Sequence, residues 1–265
     1  MIRIILPIFI LLLWIGGVIA GYLMQLDPDS IDLAAILAPP NSAALFGRDD
    51  IGRSILDRII AGAETSLIVS VSVTAVSVVV GTCIGSVIGY IGGIADMILV
   101  RVIDIFLAFP GILLAIALAA VMGPGIENIV IALSLVGWVG FARLSRAQVL
   151  SIKEREHVQA AVALGTRPHN ILIWHILPLI AAPLIVEATF GIASIIIAEA
   201  GLSYLGLGVQ PPQASWGSMI RDGSQYLLVA PHMVIFPGLV LMSVVLAVNL
   251  LGDRFRDMLD VKDSH

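Results

Sequence analysis

Runs of about 20 residues almost free of charge recur along this chain, and that is the length of α-helix that crosses roughly 30 Å of hydrocarbon. The first follows Arg3 and continues uncharged through Leu23. Others cover about 66–90, 97–122, 126–142, 179–201 and 229–251. A backbone inside a bilayer has no water to bond, so each run must satisfy its amides as a helix. The pattern predicts an all-α polytopic membrane protein with about six transmembrane helices. Composition closes off the alternatives. With 59% hydrophobic and 12% charged residues, a soluble fold would have to bury nearly all its apolar surface, whereas a domain of this size buries about 75% of what its unfolded chain exposes. A disordered chain, a coiled coil and a basic nucleic-acid binder are excluded on the same grounds, the net charge being −5. A cleavable signal peptide is the rival for the first run, given Arg3 and the small residues around Gly21. The run is long for that purpose and more apolar runs follow, which favours an uncleaved helix.

Glycine and proline punctuate the spans. Gly81, Gly85 and Gly89 recur every fourth residue in the second span, a small-residue ladder that lets helices approach closely in a membrane. Gly92 and Gly93 end that helix and leave Asp96 in a short loop, while Pro110 predicts a kink in the third span. The layout is then an N-terminal helix at 1–24, a solvent-facing segment at 25–65, a five-helix core at 66–253 containing a polar loop at 143–178, and a tail at 254–265. Within the solvent-facing segment, Ile55, Ile59 and Ile60 share one stripe and predict a short amphipathic helix near the interface. Lys and Arg set the orientation. With the N-terminus inside, Arg3, Arg101, Arg143, Arg146, Lys153, Arg155, Arg167, Arg254, Arg256 and Lys262 are cytoplasmic, against Arg48, Arg53, Arg58 and Arg221 outside. Both termini and the 143–178 loop therefore face the cytoplasm.

That loop contains a helical pattern in which Val158, Ala161, Val162 and Gly165 make a compact apolar face, flanked by Lys153, Glu154, Arg155 and Glu156. Such a face suits docking into another protein's groove, or a connector lying on the lipid surface. Periodicity leaves both open. Chemistry-bearing groups are sparse. Cys83 is the sole cysteine, the five histidines form no metal-ligand spacing, and no nucleophile, base and orienting group recur in one region, so neither a catalytic nor a metal site is expected. No glycine-rich loop ends in Gly-Lys-Ser or Gly-Lys-Thr, so any ATPase is a separate chain.

The stretch VQAAVALGTRPHNILIWHILP resembles the EAA loop of the integral membrane subunits of binding-protein-dependent ABC importers. Gln159 stands where that loop has Glu, Ala160 and Ala161 match its alanines, Gly165 its glycine, and Leu177 and Pro178 its end, with His175 replacing Ile. FGRDDIGRSILDRIIAGAETSL at 46–67 is similar to a segment of the second permease of dipeptide, oligopeptide and nickel importers, with Arg48 and Ser54 departing from its Thr and Asp. RVIDIFLAFPG at 101–111, EAGLSYLGLGVQPPQASWGSMI at 199–220 and PGLVLMSVVLAVNLLGDRFRDMLD at 237–260 resemble the same subunit.

This resemblance implies the type I ABC importer permease fold in the bacterial inner membrane, and a non-catalytic subunit of an ATP-driven importer of peptides, with nickel or a chelate as the other cargo. It implies a homologous second permease, one or two cytoplasmic ATPases that bind ATP and Mg, an extracytoplasmic solute-binding protein, and no cofactor on this chain. The ATPase-coupling element is carried over onto Glu156, His157, Val158, Gln159, Ala160, Ala161, Val162, Ala163, Leu164, Gly165 and Thr166. Glu187 and Glu199 lie in the fifth span with no Lys or Arg within one turn, so each either meets a polar group on another helix or lines the translocation path. Arg101 and Asp104 are spaced to pair as a structural ion pair. A stand-alone secondary transporter is the alternative, and it would need an internal repeat and a second broken helix to match Pro110.

Overall fold

The computed structural model describes residues 2–42 and 44–260, and Lys262 with the rest of the tail lies outside them. Helix α1 (Ile2–Met24) leads through a short 3₁₀ turn (Leu33–Ala35) into α2 (Ile55–Ile91), α3 (Gly93–Leu107), α4 (Gly111–Met122) and α5 (Ile126–Ile152). The short α6 (Glu156–Ala163) and α7 (Pro168–Asn170) follow, then a π-helical turn (Ile171–Ile176), α8 (Leu177–Tyr204), α9 (Trp216–Ser224) and α10 (His232–Asp260). Five helical stretches are long and apolar enough to span a bilayer, and α3 with α4 adds a sixth as a pair bent by 82°. The chain is thus an all-helical membrane protein of the expected span number.

Four boundaries differ from those expected, each for a local reason. No break separates an amphipathic helix from the second span. Ser54 caps α2 by accepting the Asp57 amide at 3.4 Å, and 37 helical residues follow. At 1.5 Å per residue that is about 55 Å, so the first turns of α2 stand beyond the hydrocarbon. Pro110 does more than kink the third span: having no N–H and disfavouring helix in the residue before it, it ends one helix and caps the next. Asp96 belongs to the first turn of α3, not to a loop. The fourth span continues past Ala142 to Ile152 because Ser145, Val149 and Ile152 are buried on one face, which absorbs much of the polar 143–178 stretch.

The glycine ladder of α2 faces α5. A side chain at Gly81 would run into the Trp138 carbonyl, and one at Gly85 into the Ala142 carbonyl and the Ser145 hydroxyl. One core cluster joins Ile55, Ile59 and Ala63 to Trp216, Met233 and Val244, with Trp14 of α1 packed at its side. Another gathers Phe141, Val149, Ile152, Val158, Ile171 and Ile176 at the α6 end. That second cluster positions the candidate site.

Candidate functional site

The seat of α6 is assembled from three elements. Lys153 closes α5, its amide bonding to the Val149 carbonyl at 2.9 Å, and the Arg155 amide reaches Ile152 at 3.0 Å to turn the chain. Val158 and Ala161 then point inward, 1% and 7% exposed, with Val158 packed among Val149, Ile152, Ile171 and Ile176. Glu156, His157, Gln159, Ala160, Val162, Ala163, Leu164 and Gly165 are exposed, and Thr166 is half-buried. The apolar face expected as one unit is therefore divided. Half of it fastens the helix to its own protein, while Val162, 46% exposed, and Gly165 are left outward beside Leu164, which is 86% exposed.

The end of α6 is a Schellman turn. The Gly165 amide bonds to the Val162 carbonyl at 2.9 Å and the Thr166 amide to that of Ala161 at 3.1 Å, with Gly165 at φ +79°. A Cβ at Gly165 would meet nothing within 4 Å, so glycine is required by the backbone alone. The amide of Gln159 donates to the Lys153 carbonyl at 2.8 Å, and Lys153 Nζ donates to the Gly89 carbonyl at 3.4 Å. A Glu at 159 could not donate, which gives the departure from the EAA pattern a local purpose: it satisfies a carbonyl left open at the end of α5. Deeper in, Arg146 of α5 holds Asp96 of α3 in a two-pronged ion pair, with Nη2 and Oδ2 at 2.7 Å. The two residues lie 50 positions apart, and no sequence spacing announces the pair.

Arg101 and Asp104 do approach, at 3.8 Å, but with side chains 78% and 57% exposed. Such a pair contributes at most about 1 kcal/mol. Glu187 and Glu199 have unlike surroundings. Glu187 is exposed and lines a cavity of about 720 Å³ between α5, α8 and α10, whose wall includes Gln148, Arg155, Pro183, Phe190 and Arg256. Glu199 is 1% exposed. It accepts hydrogen bonds from Ser203 of its own helix at 2.8 Å and from Ser66 at 3.1 Å, the second of which fixes α8 to α2. Nearby, Thr65 donates to the Ala214 carbonyl at 2.9 Å and the Trp216 indole to that of Ile59 at 3.0 Å, tying the segment after α8 to the same helix.

At the far end from α6, the segment read as solvent-facing holds a buried charge cluster. Asp49, Arg53 and Arg58 are 6%, 9% and 3% exposed. Asp49 accepts the Ile51 and Arg53 amides at 3.1 and 2.8 Å and pairs with Arg53 Nε at 2.7 Å and Arg58 Nε at 3.7 Å. Arg58 of α2 also pairs with Asp29 at 3.5 Å, and His232 of α10 meets the Arg48 carbonyl at 3.2 Å, so the 25–54 segment is fastened to α2 and α10 instead of lying free in water. The signal was the close run Asp49, Asp50, Gly52, Arg53, in which an Asp two to four residues ahead of its partners makes a local turn. Burial and the adjacent Asp49 carboxylate push the Asp50 carboxyl above its usual range, with Arg53 pulling the other way. Among the described residues no three His, Cys, Asp or Glu side chains converge on a metal position.

A model of the family described as the binding-protein-dependent transport system inner membrane component matches residues 81–262. A dipeptide transport system permease protein of Alkalihalophilus pseudofirmus is 44% identical over 226 residues, 85% of this chain and 74% of its own length. A probable D,D-dipeptide transport system permease protein of Escherichia coli K12 is 37% identical, covering 96% of this chain and 86% of the relative. A glutathione transport system permease protein of Pectobacterium atrosepticum is 41% identical, with 96% and 85% covered. In three dimensions the fold is similar to a chain of the methionine ABC transporter MetNI, with a TM-score of 0.60 at 20% identity over 76% of this chain and 95% of that one.

Proposed function

Because the chain belongs to the binding-protein-dependent transport system inner membrane component family, we propose that it is the permease subunit through which an ATP-driven importer delivers short peptides to the cytoplasm. As a member of that family it is a multi-pass transport component without catalysis of its own. The cargo class rests on the relatives named above, which carry dipeptides, D,D-dipeptides and glutathione by name. Those names favour peptide over nickel. In this reading both termini and α6 are cytoplasmic, the 25–54 segment and α9 face the solute-binding protein, and a homologous permease completes the path along the face that carries Glu187. ATP and Mg bind to separate ATPase subunits.

The observation that carries the reading is the way α6 is held. Val158 anchors the short helix in the same cluster as the end of α5 and the start of α8, with Ala161 buried one turn on, while Val162 and Leu164 stay outward. An ATPase gripping that outer face would move two spans at once, since packed interfaces shift as units. Residues 156–166 are the coupling element in this account, and Glu187 borders the path; Glu199 is a fastening between helices.

Gly165→Leu tests it. A side chain in the left-handed region costs about 1–2 kcal/mol, enough to unwind the end of α6 while leaving all six spans intact. We expect normal membrane insertion but loss of the ATPase on co-purification, and loss of peptide uptake. Gly165→Asn, which tolerates that region, should retain both. Full uptake and ATPase recovery with the leucine variant would reduce this segment to a connector.

The orientation has its own test. In a Cys83→Ala background, Ser42→Cys and Thr166→Cys should react with a membrane-impermeant thiol reagent from opposite sides of the membrane. Labelling of both from one side would overturn the topology.

A further inference from the structure

We infer that Glu187 is the point on the permease that receives the positive charge of the cargo, the free α-ammonium of a peptide, as it crosses toward the cytoplasm. The inference rests on the transport reading above. Glu187 lies ten residues into α8, about 15 Å along the helix from Leu177, where the neighbouring wall is Pro183, Val186 and Phe190. A carboxylate at that depth cannot face hydrocarbon, and such residues turn to protein or to water-filled space. Here it is the second: the side chain is exposed into the cavity of about 720 Å³ and, among the described residues, accepts no hydrogen bond and joins no ion pair.

The contrast with Glu199 on the same helix is informative. That carboxylate is bonded by Ser66 and Ser203 and, at 1% exposure, is out of a ligand's reach. Glu187 is left with its full accepting capacity inside a cavity wide enough for a small peptide. A peptide ammonium supplies three donors and one positive charge, the complement of an unpaired carboxylate. At the α6 end of the same cavity stands Arg155, which follows the last turn of α5 and presents the opposite charge. A zwitterion with its ammonium at Glu187 would point its carboxylate toward Arg155. One exposed ion pair of this kind holds weakly, which suits a path that has to release what it binds.

Two measurements test the assignment. In the Cys83→Ala background, Ala182→Cys places a thiol on the wall of the cavity, and its reaction rates with a cationic and an anionic methanethiosulfonate are compared. Arg155 and Arg256 share the cavity wall, so the readout is the change and not the absolute preference: Glu187→Gln should reduce the cationic-to-anionic ratio about fivefold, as expected for removing one charge in a partly solvated site. Alanylalanine uptake is then followed in proteoliposomes holding the complete importer. Glu187→Gln should slow it about tenfold and Glu187→Asp should restore most of it. An unchanged reagent ratio, or a changed ratio with wild-type uptake in Glu187→Gln, overturns the inference. If the unaltered importer takes up no alanylalanine, the peptide reading of the function fails, and the change in reagent ratio still decides whether Glu187 attracts a cation.

Discussion

Gly85→Leu should leave a chain that reaches the membrane but does not hold α2 against α5. The position has no room on its α5 side: a Cβ there would overlap the Ala142 carbonyl and the Ser145 hydroxyl, and Ser145 is itself fixed by donating to the Phe141 carbonyl at 2.8 Å. Backbone atoms cannot rotate aside as a side chain can, so the helices have to separate. Overpacking typically costs about 1–3 kcal/mol, with an overlap against backbone at the upper end, a large part of a total stability of about 5–15 kcal/mol. The Ser66 bond to Glu199 depends on the same placement of α2, so the damage extends to α8. Thermal unfolding of the detergent-solubilised subunit, followed by tryptophan fluorescence, should shift down by at least about 5 °C. Gly89→Ala is the milder companion, because its added methyl approaches the Arg146 backbone and side chain at 3.3 Å, well beyond the overlap at Gly85. Equal stability of the Gly85→Leu protein and the parent would show that the α2–α5 interface is not the one described.

Asp49→Ala should release the 25–54 segment from the top of the bundle. Two guanidiniums buried to 9% and 3% exposure share that carboxylate; its removal leaves Arg53 only the more distant Asp50 at 3.9 Å and Arg58 only the exposed Asp29 at 3.5 Å as ion-pair partners among the described residues, and frees the turn amides of Ile51 and Arg53. Breaking a buried pair from one side costs about 3–5 kcal/mol. Trypsin reports the consequence directly, since it cuts after Arg53 and Arg58 only when they are exposed. Cleavage there should accelerate at least a hundredfold, from about 1.4 kcal/mol per tenfold. Asp49→Asn keeps an oxygen for the two amides but loses the charge, so it should fall between the parent and the alanine variant. Resistance of Asp49→Ala to trypsin at both arginines would mean that the cluster is not what fastens this segment.

The features legible along the chain are those that depend on neighbouring residues. Run length and lack of charge fix the spans because every helical residue advances 1.5 Å whatever surrounds it. Pro110 marks the bend of the third span by a local effect of its ring, and Gly165 marks the end of α6 by its φ of +79°. Gly81 and Gly85 announce a close approach by spacing alone, although not that α5 is the partner. The family motifs are likewise read from order and spacing. They support the proposed ATPase-facing reading of a loop that helical periodicity leaves ambiguous.

Tertiary structure decided which side of each element is used. Arg58, expected in solvent, is buried because a segment reaching back from Asp29 to Asp49 and a carbonyl at Pro212 converge on it. Asp96 and Arg146 meet because α3 folds against α5, and the apolar face of α6 divides because Val158 finds Ile171 and Ile176 behind it. Glu187 and Glu199 read alike in sequence, as lone carboxylates of one apolar span. Twelve residues at about 100° each turn the second about 120° from the first. One consequently opens into the cavity and the other enters the α2 interface, a difference fixed by which helices pack on each side of α8 and not by anything along α8 itself.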